Sequence, residues 1–229
     1  EDVRVVAGCP NQTAYIIIDR RTGERTILWH RDKRLALKPE ELSRERVCAG
    51  RMLHVDGHDV AATAAAAAWA RQAGIPVTCD VDTLYDNMDR LLQHLDYFIA
   101  SANFPEAYTG ERDPFKALEI LRGEFGMRLV AMTLGADGVL ALAECGFLYS
   151  PAYEVDAVDT TGAGDVFRGA FCYTMLEGWP LERALDFSCA MAALNCTKIG
   201  ARGGIATLSQ VLELMETAGR RVNREYLVP

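Results

Sequence analysis

Short apolar strands alternating with helices constrain this chain most strongly. From residue 51 the apolar runs are only a few residues long: 51–56 (Arg-Met-Leu-His-Val-Asp), 77–80 (Val-Thr-Cys-Asp), 97–100 (Tyr-Phe-Ile-Ala) and 128–133 (Arg-Leu-Val-Ala-Met-Thr). Between them lie helical signals. Residues 59–73 carry a run of alanine, the strongest helix former, which Gly74 stops before Pro76 opens the next strand. Residues around 86–94 and residues 113–125, ended by Gly126, complete the pattern. Strand, helix, strand, helix with short links predicts a mainly parallel sheet with helices on both faces. Runs such as Leu129-Val130-Ala131-Met132 suit strands buried on both sides.

The flanking segments read differently. Residues 13–19 and 25–30 are rich in β-formers around Arg20-Arg21-Thr22-Gly23-Glu24, which predicts a hairpin. Leu37-Lys38-Pro39-Glu40-Glu41-Leu42 has proline and acids where a helix begins. Residues 138–150 read as antiparallel hairpin strands at one edge of the sheet. The rest is helical, at about 163–178, 181–196 and 207–218. With no repeat, linker or long charge block, residues 1–229 form one main domain. A net charge of −8 points away from a nucleic-acid partner. The seven cysteines are odd in number and form no C-x-x-C pair, which fits free thiols in a reducing cytoplasm. No apolar run is long enough to span a membrane, and no signal peptide is expected.

One loop carries chemistry. Val158-Asp159-Thr160-Thr161-Gly162-Ala163-Gly164-Asp165 turns directly into a helix whose Val166, Phe167, Ala170, Phe171 and Thr174 recur at helical spacing. Gly162, Ala163 and Gly164 are then expected to present unpaired backbone N–H groups at a helix N-terminus, a site for an anion. Asp165 beside such a site is unfavourable for binding alone. It makes sense as a base that takes a proton from a hydroxyl attacking a phosphoryl group.

The string D-T-T-G-A-G-D-x-F-x-G-A-F resembles the signature of the ribokinase-like (phosphofructokinase B-type) carbohydrate kinases. That resemblance implies a three-layer αβα fold with a mainly parallel sheet and a small β lid, to which residues 12–31 contribute. It implies ATP-dependent phosphorylation of a sugar hydroxyl, with Mg²⁺ and, in some members, K⁺. Asp165 becomes the catalytic base and the 162–164 amides the anion hole. The family's T-x-G-x-x-G matches Thr133, Gly135 and Gly138, where the nucleotide approaches backbone. Its N-x-x-E matches Asn103 and Glu106, which hold phosphates and Mg²⁺, Glu106 through water. Alone, that pattern reads as a helix-capping Asn with an acid in the first turn. Asp159 and Thr161 match a monovalent-cation site. Asn195 falls where a contact to base or ribose is expected, although by itself it reads as a helix-end cap. Gly200, Ala201 and Gly203 follow as backbone contributors.

The cluster His54-Val55-Asp56-Gly57-His58-Asp59 resembles a metal box, but no further His lies nearby in sequence. Asp56 ends a strand where the family commonly has a sugar-contacting residue. Asp80 and Asp82 end the next strand and are read as ordering water around Mg²⁺ or contacting phosphate. Arg25, Trp29, His30 and Arg31 on the lid suit either an acidic sugar or a surface, and lid pairing implies a homodimer. The family's opening strand, D-x-x-x-D-like segment and G-G-N element have no counterpart in residues 1–12. The expectation is that they belong to a larger kinase and lie outside this sequence. Two alternatives stand beside the sugar kinase: a nucleoside kinase on the same fold, and a non-catalytic sugar or nucleotide sensor. Phosphofructokinase-like and 2-keto-3-deoxysugar specificities also stay open.

Overall fold

The computed structural model describes residues 3–18 and 25–227. The hairpin turn at residues 19–24 lies outside the described residues, but its strands are in place. Strands β1 (Thr13–Ile18) and β2 (Arg25–His30) pair antiparallel, with Thr13 opposite His30, as a two-stranded ribbon separate from the main sheet. Tyr15, Ile17 and Leu28 share one face of this ribbon and are each more than half exposed. Trp29, on the other face, meets the His58 ring at a centroid distance of 6.0 Å.

The segment after the ribbon departs from the expected helix at 37–42. It forms two single 3-10 turns, and a short helix, α1 (Arg44–Val47), starts later because Ser43 accepts a hydrogen bond from the Arg46 amide. The expected alternation follows: β3 (Leu53–Asp56), α2 (Val60–Gln72), β4 (Val77–Val81), α3 (Asp89–Leu92), β5 (Tyr97–Ser101), α4 (Asn103–Thr109), α5 (Pro114–Phe125) and β6 (Leu129–Thr133). Helix α3 is only one turn long, and Asn87 before it takes a positive φ of 61° that no helix contains. The chain continues through β7 (Val139–Ala143), β8 (Gly146–Ser150), β9 (Ala152–Tyr153), α6 (Ala163–Leu176), α7 (Leu181–Cys196), α8 (Leu208–Thr217) and β10 (Arg220–Arg221).

The main sheet runs β3-β4-β5-β6-β7-β8, parallel through β6 and antiparallel beyond. Alternation splits its side chains into two cores. Cys79, Phe98, Val130 and Leu140 pack on one face with the buried alanines of α2 and with α3, α4 and α5. Tyr97, Ile99, Leu129 and Ala141 pack on the other with Phe167 and Phe171 of α6 and the alanines of α7. This is the three-layer αβα arrangement. Alanines at 62, 66, 67 and 70 let α2 lie close to the sheet, whose middle strands are covered on both sides. The ends of the parallel strands, where Asp56, Asp80, Ser101 and Thr133 stand, form one rim.

Candidate active site

The loop at 159–165 becomes a helix N-terminus as the sequence suggests. Gly162 sits at the N-cap of α6 with φ 76°, and a Cβ there would run into the carbonyl oxygen of Ala201. Only glycine relieves both constraints. Among the described residues the Gly162 and Gly164 N–H groups make no hydrogen bond, so they are open to an anion at the positive end of a helix of 14 residues. The third amide is different. Ala163 donates, at 3.3 Å, to the carbonyl of Thr160, so the expectation of three unpaired donors is corrected to two.

Two side chains fix this loop, half-buried Asp159 and buried Asn195. Asp159 accepts from the Thr161 amide at 2.9 Å and, through its other oxygen, from the Gly200 amide at 2.9 Å. Asn195 is fully buried. Its Nδ2 donates to the carbonyls of Ala201 at 3.1 Å and Thr161 at 3.4 Å, and its Oδ1 accepts from the Gly204 amide at 3.2 Å. Its carboxamide pins the 199–204 run against the glycine loop, at the helix end that the sequence suggests. Gly200 likewise spends its amide on Asp159.

The loop and the Thr133–Gly138 turn enclose one cavity of about 650 Å³. Thr133, Gly135 and Gly138 line one wall, and Ala163 and Gly164 another. Ala192 and Ala193 of α7 keep its floor flat and apolar. Gly138 takes φ 97°, and a Cβ there would strike the backbone of Ser150 and Ala152. Asn103 and Glu106 stand apart from this lining, exposed in the first turn of α4, where the Glu106 carboxylate lies 3.6 Å from Arg112. Ala102, not Asn103, is the N-cap of that helix.

Asp165 is exposed on the next turn-edge of α6 and opens onto a second hollow of about 680 Å³, which Val166, Ala170, Tyr173, Ile205 and Leu208 line. One turn further, Arg168 holds the centre together, and sequence reasoning missed it. It is 5% exposed. Its Nε donates to the Ile99 carbonyl at 3.1 Å, its Nη2 lies 2.8 Å from Asp80 Oδ1, and its Nη1 sits where a side chain on Gly164 would be. Burial raises the Asp80 carboxyl to about 6. Arg168 pulls it down, and the charges of Asp165, Asp82 and Asp56 push it up. Asp56 ends β3 and Asp82 follows the end of β4, while Asp165 acts on Asp80 from α6. Asp56 and Asp80 are direct neighbours in register. A charged residue inside the apolar stripe of Phe167, Ala170 and Phe171 was the available signal for Arg168.

At the β3 end, Asp56 Oδ1 accepts from the His58 amide at 3.1 Å, and the Tyr85 hydroxyl lies 3.4 Å from His58 Nε2. Arg31 is engaged elsewhere: its guanidinium forks onto both oxygens of Asp59, at 2.9 and 2.6 Å, joining the end of the β1–β2 ribbon to the start of α2. Among the described residues no three His, Cys, Asp or Glu side chains converge as a metal cage, so the apparent metal box at 54–59 is not assembled.

A cavity of about 650 Å³ beside a helix N-terminus, lined by residues at the carboxyl end of β6, lies where open α/β sheets bind their ligands. The chain belongs to the pfkB family carbohydrate kinases, whose family model matches residues 1–208. It is 32% identical over 206 residues to an ATP-dependent ribose-1-phosphate kinase of Halopiger xanaduensis, covering 88% of this chain and 67% of that protein. A putative ribokinase from Agrobacterium tumefaciens superposes with a TM-score of 0.83 at 28% identity, covering 91% of this chain and 69% of that one. The ribokinase of Thermotoga maritima gives 0.76 at 28% identity, covering 91% and 70%. The chain thus spans roughly two thirds of the length of these relatives.

Proposed function

We propose that this chain carries the nucleotide-binding and catalytic part of an ATP-dependent sugar kinase, with a ribose-type sugar or sugar phosphate as acceptor. One observation carries the reading: the open amide of Gly164 and the Thr133–Gly138 turn share a cavity, the open Gly162 amide lies in the same loop, and Asp165 follows in the same turn of helix. The Halopiger relative, an ATP-dependent ribose-1-phosphate kinase, supports the choice of donor and acceptor.

In this reading the triphosphate lies along the cavity with its transferring end at the α6 N-terminus. Asp165 accepts the proton of the attacking hydroxyl as the oxygen–phosphorus bond forms and the bond to the ADP oxygen breaks. The Gly162 and Gly164 amides meet the charge that develops on the transferring group, at positions that Asp159 and Asn195 hold fixed. Asp56 binds hydroxyls of the sugar. Mg²⁺ entering with the phosphates would supply neutralisation of their charge. Glu106, through water, and Asn103 are the residues that would hold that ion, which keeps several of its own waters. A K⁺ ion beside Asp159 and Thr161 belongs to the same reading. So does a homodimer through the outer ribbon face, where Tyr15, Ile17 and Leu28 present exposed apolar surface.

The experiment is ADP release with ATP, Mg²⁺ and a panel of pentoses, pentose phosphates, 2-keto-3-deoxysugars and nucleosides. A sugar kinase releases ADP with one sugar class. Ligand-dependent thermal shifts with no ADP from any acceptor would instead identify a sensor.

A further inference from the structure

The last strand brings a cation to the nucleotide cavity. Strand β10 pairs antiparallel with β9, with Arg220 opposite Tyr153 and Arg221 opposite Ala152. Both arginines lie beyond the residues that the family model matches. Alternation sends their side chains to opposite faces.

Arg220 turns into the protein. It donates to the Pro151 carbonyl at 2.7 Å and the Tyr153 hydroxyl at 2.7 Å, pairs with Asp186 at 2.6 Å, and stacks its guanidinium 3.9 Å from the Tyr153 ring centroid. This network clamps the strand. Asn223 extends the clamp: its amide donates to the Tyr149 hydroxyl at 3.0 Å and its Nδ2 to Asp137 Oδ2 at 3.3 Å.

Arg221 turns the other way and lines the same cavity as Thr133, Gly135, Gly138 and Gly164. Its side chain is 63% exposed, and its Nε lies 3.5 Å from Asp137 Oδ1, at the end of the turn that forms the cavity wall. An exposed pair of this kind contributes little to stability. It does hold the guanidinium at the cavity, with donors to spare, in a chain whose net charge is −8. A cation so placed suits an anionic ligand better than a neutral one.

We propose that Arg221 is a nucleotide-contacting residue, donating hydrogen bonds to a bound nucleoside di- or triphosphate from the C-terminal strand. The proposal rests on the kinase reading above, because it takes the cavity to be the nucleotide site. The β9–β10 pairing and the Arg220 clamp are then part of the nucleotide site, since they set where Arg221 stands.

The test is calorimetric titration of ADP into the wild-type chain, R221M and R221K. Loss of a charge-assisted hydrogen bond predicts about tenfold weaker ADP binding for R221M. R221K recovers part of that loss, which a purely structural role would not require, since Met preserves the packing of the stem. Because the side chain is exposed, the ligand-free melting temperature of both variants stays close to wild type. An R221M variant that binds ADP within about twofold of wild type, less than the smallest expected loss, overturns the proposal. Wild-type protein that binds no ADP at all overturns the kinase reading itself, a distinguishable failure.

Discussion

Replacing Arg168 with Met removes the charge while keeping most of the volume of a side chain that is 5% exposed. Two partners are left. The Ile99 carbonyl loses its Nε donor, and Asp80, 22% exposed at its side chain, loses the counter-charge 2.8 Å away. In the wild type the Asp80 carboxyl is already raised, chiefly by burial, from 3.8 to about 6. A folded value above the unfolded one means that the fold binds this proton more tightly. The charged carboxylate therefore withholds about 3 kcal/mol above pH 6, and stability returns as pH falls from 6 towards 3.8. Without Arg168 the carboxyl rises further, so the variant suffers most at alkaline pH. Breaking a buried pair predicts a loss of about 3–5 kcal/mol at pH 8. At pH 5 Asp80 is largely protonated in both proteins, and the loss falls to about 1–2 kcal/mol, the share of the Ile99 hydrogen bond. Urea unfolding at the two pH values measures this, with an unchanged slope as the check that the unfolded state is the same. A loss independent of pH, or below about 1 kcal/mol at pH 8, would refute the assignment of Arg168 as the counter-charge of Asp80.

Two further substitutions probe the loop. Gly162→Ala forces a left-handed backbone on a residue with a Cβ and drives that atom into the Ala201 carbonyl; a stability loss of about 2–4 kcal/mol is expected in thermal unfolding, with turnover falling because the amides move. Asn195→Ala strands the Thr161 and Ala201 carbonyls and the Gly204 amide. It should cost about 2–3 kcal/mol and weaken ADP binding indirectly, by loosening the loop, which hydrogen exchange at residues 158–164 would register.

The strands were legible because each is a short apolar run with its own punctuation. Cys79, Phe98, Val130 and Leu140 fall on one face, and Ile99, Leu129 and Ala141 on the other, by simple alternation. The antiparallel turn of the sheet at β7 and β8 was legible for the same reason, as was the helix start at Ala163. What escaped has physical causes. Strands β9 and β10 are two residues each, too short for any period, and their pairing depends on Arg220 reaching Asp186 from 34 residues away in sequence. Helix α4 has a proline in its first turn and runs only from Asn103 to Thr109, too short to show a period beyond the helix start expected at Asn103. Asn195 was placed correctly at a helix end, but nothing local tells which way a carboxamide points when its partners lie on two other loops. Arg168 was passed over because helical spacing was read from apolar residues alone, whereas a buried guanidinium occupies the same stripe once a carboxylate on the sheet receives it.

The central claim is that Asp165 takes the proton of the acceptor hydroxyl. The direct measurement is turnover of Asp165→Asn beside its ADP affinity, with the acceptor found in the sugar panel. Asn keeps the size and exposure of the side chain and removes the base. The account predicts a fall in kcat of about 10²–10⁴-fold with ADP binding close to wild type. A variant that keeps near-normal turnover would contradict it.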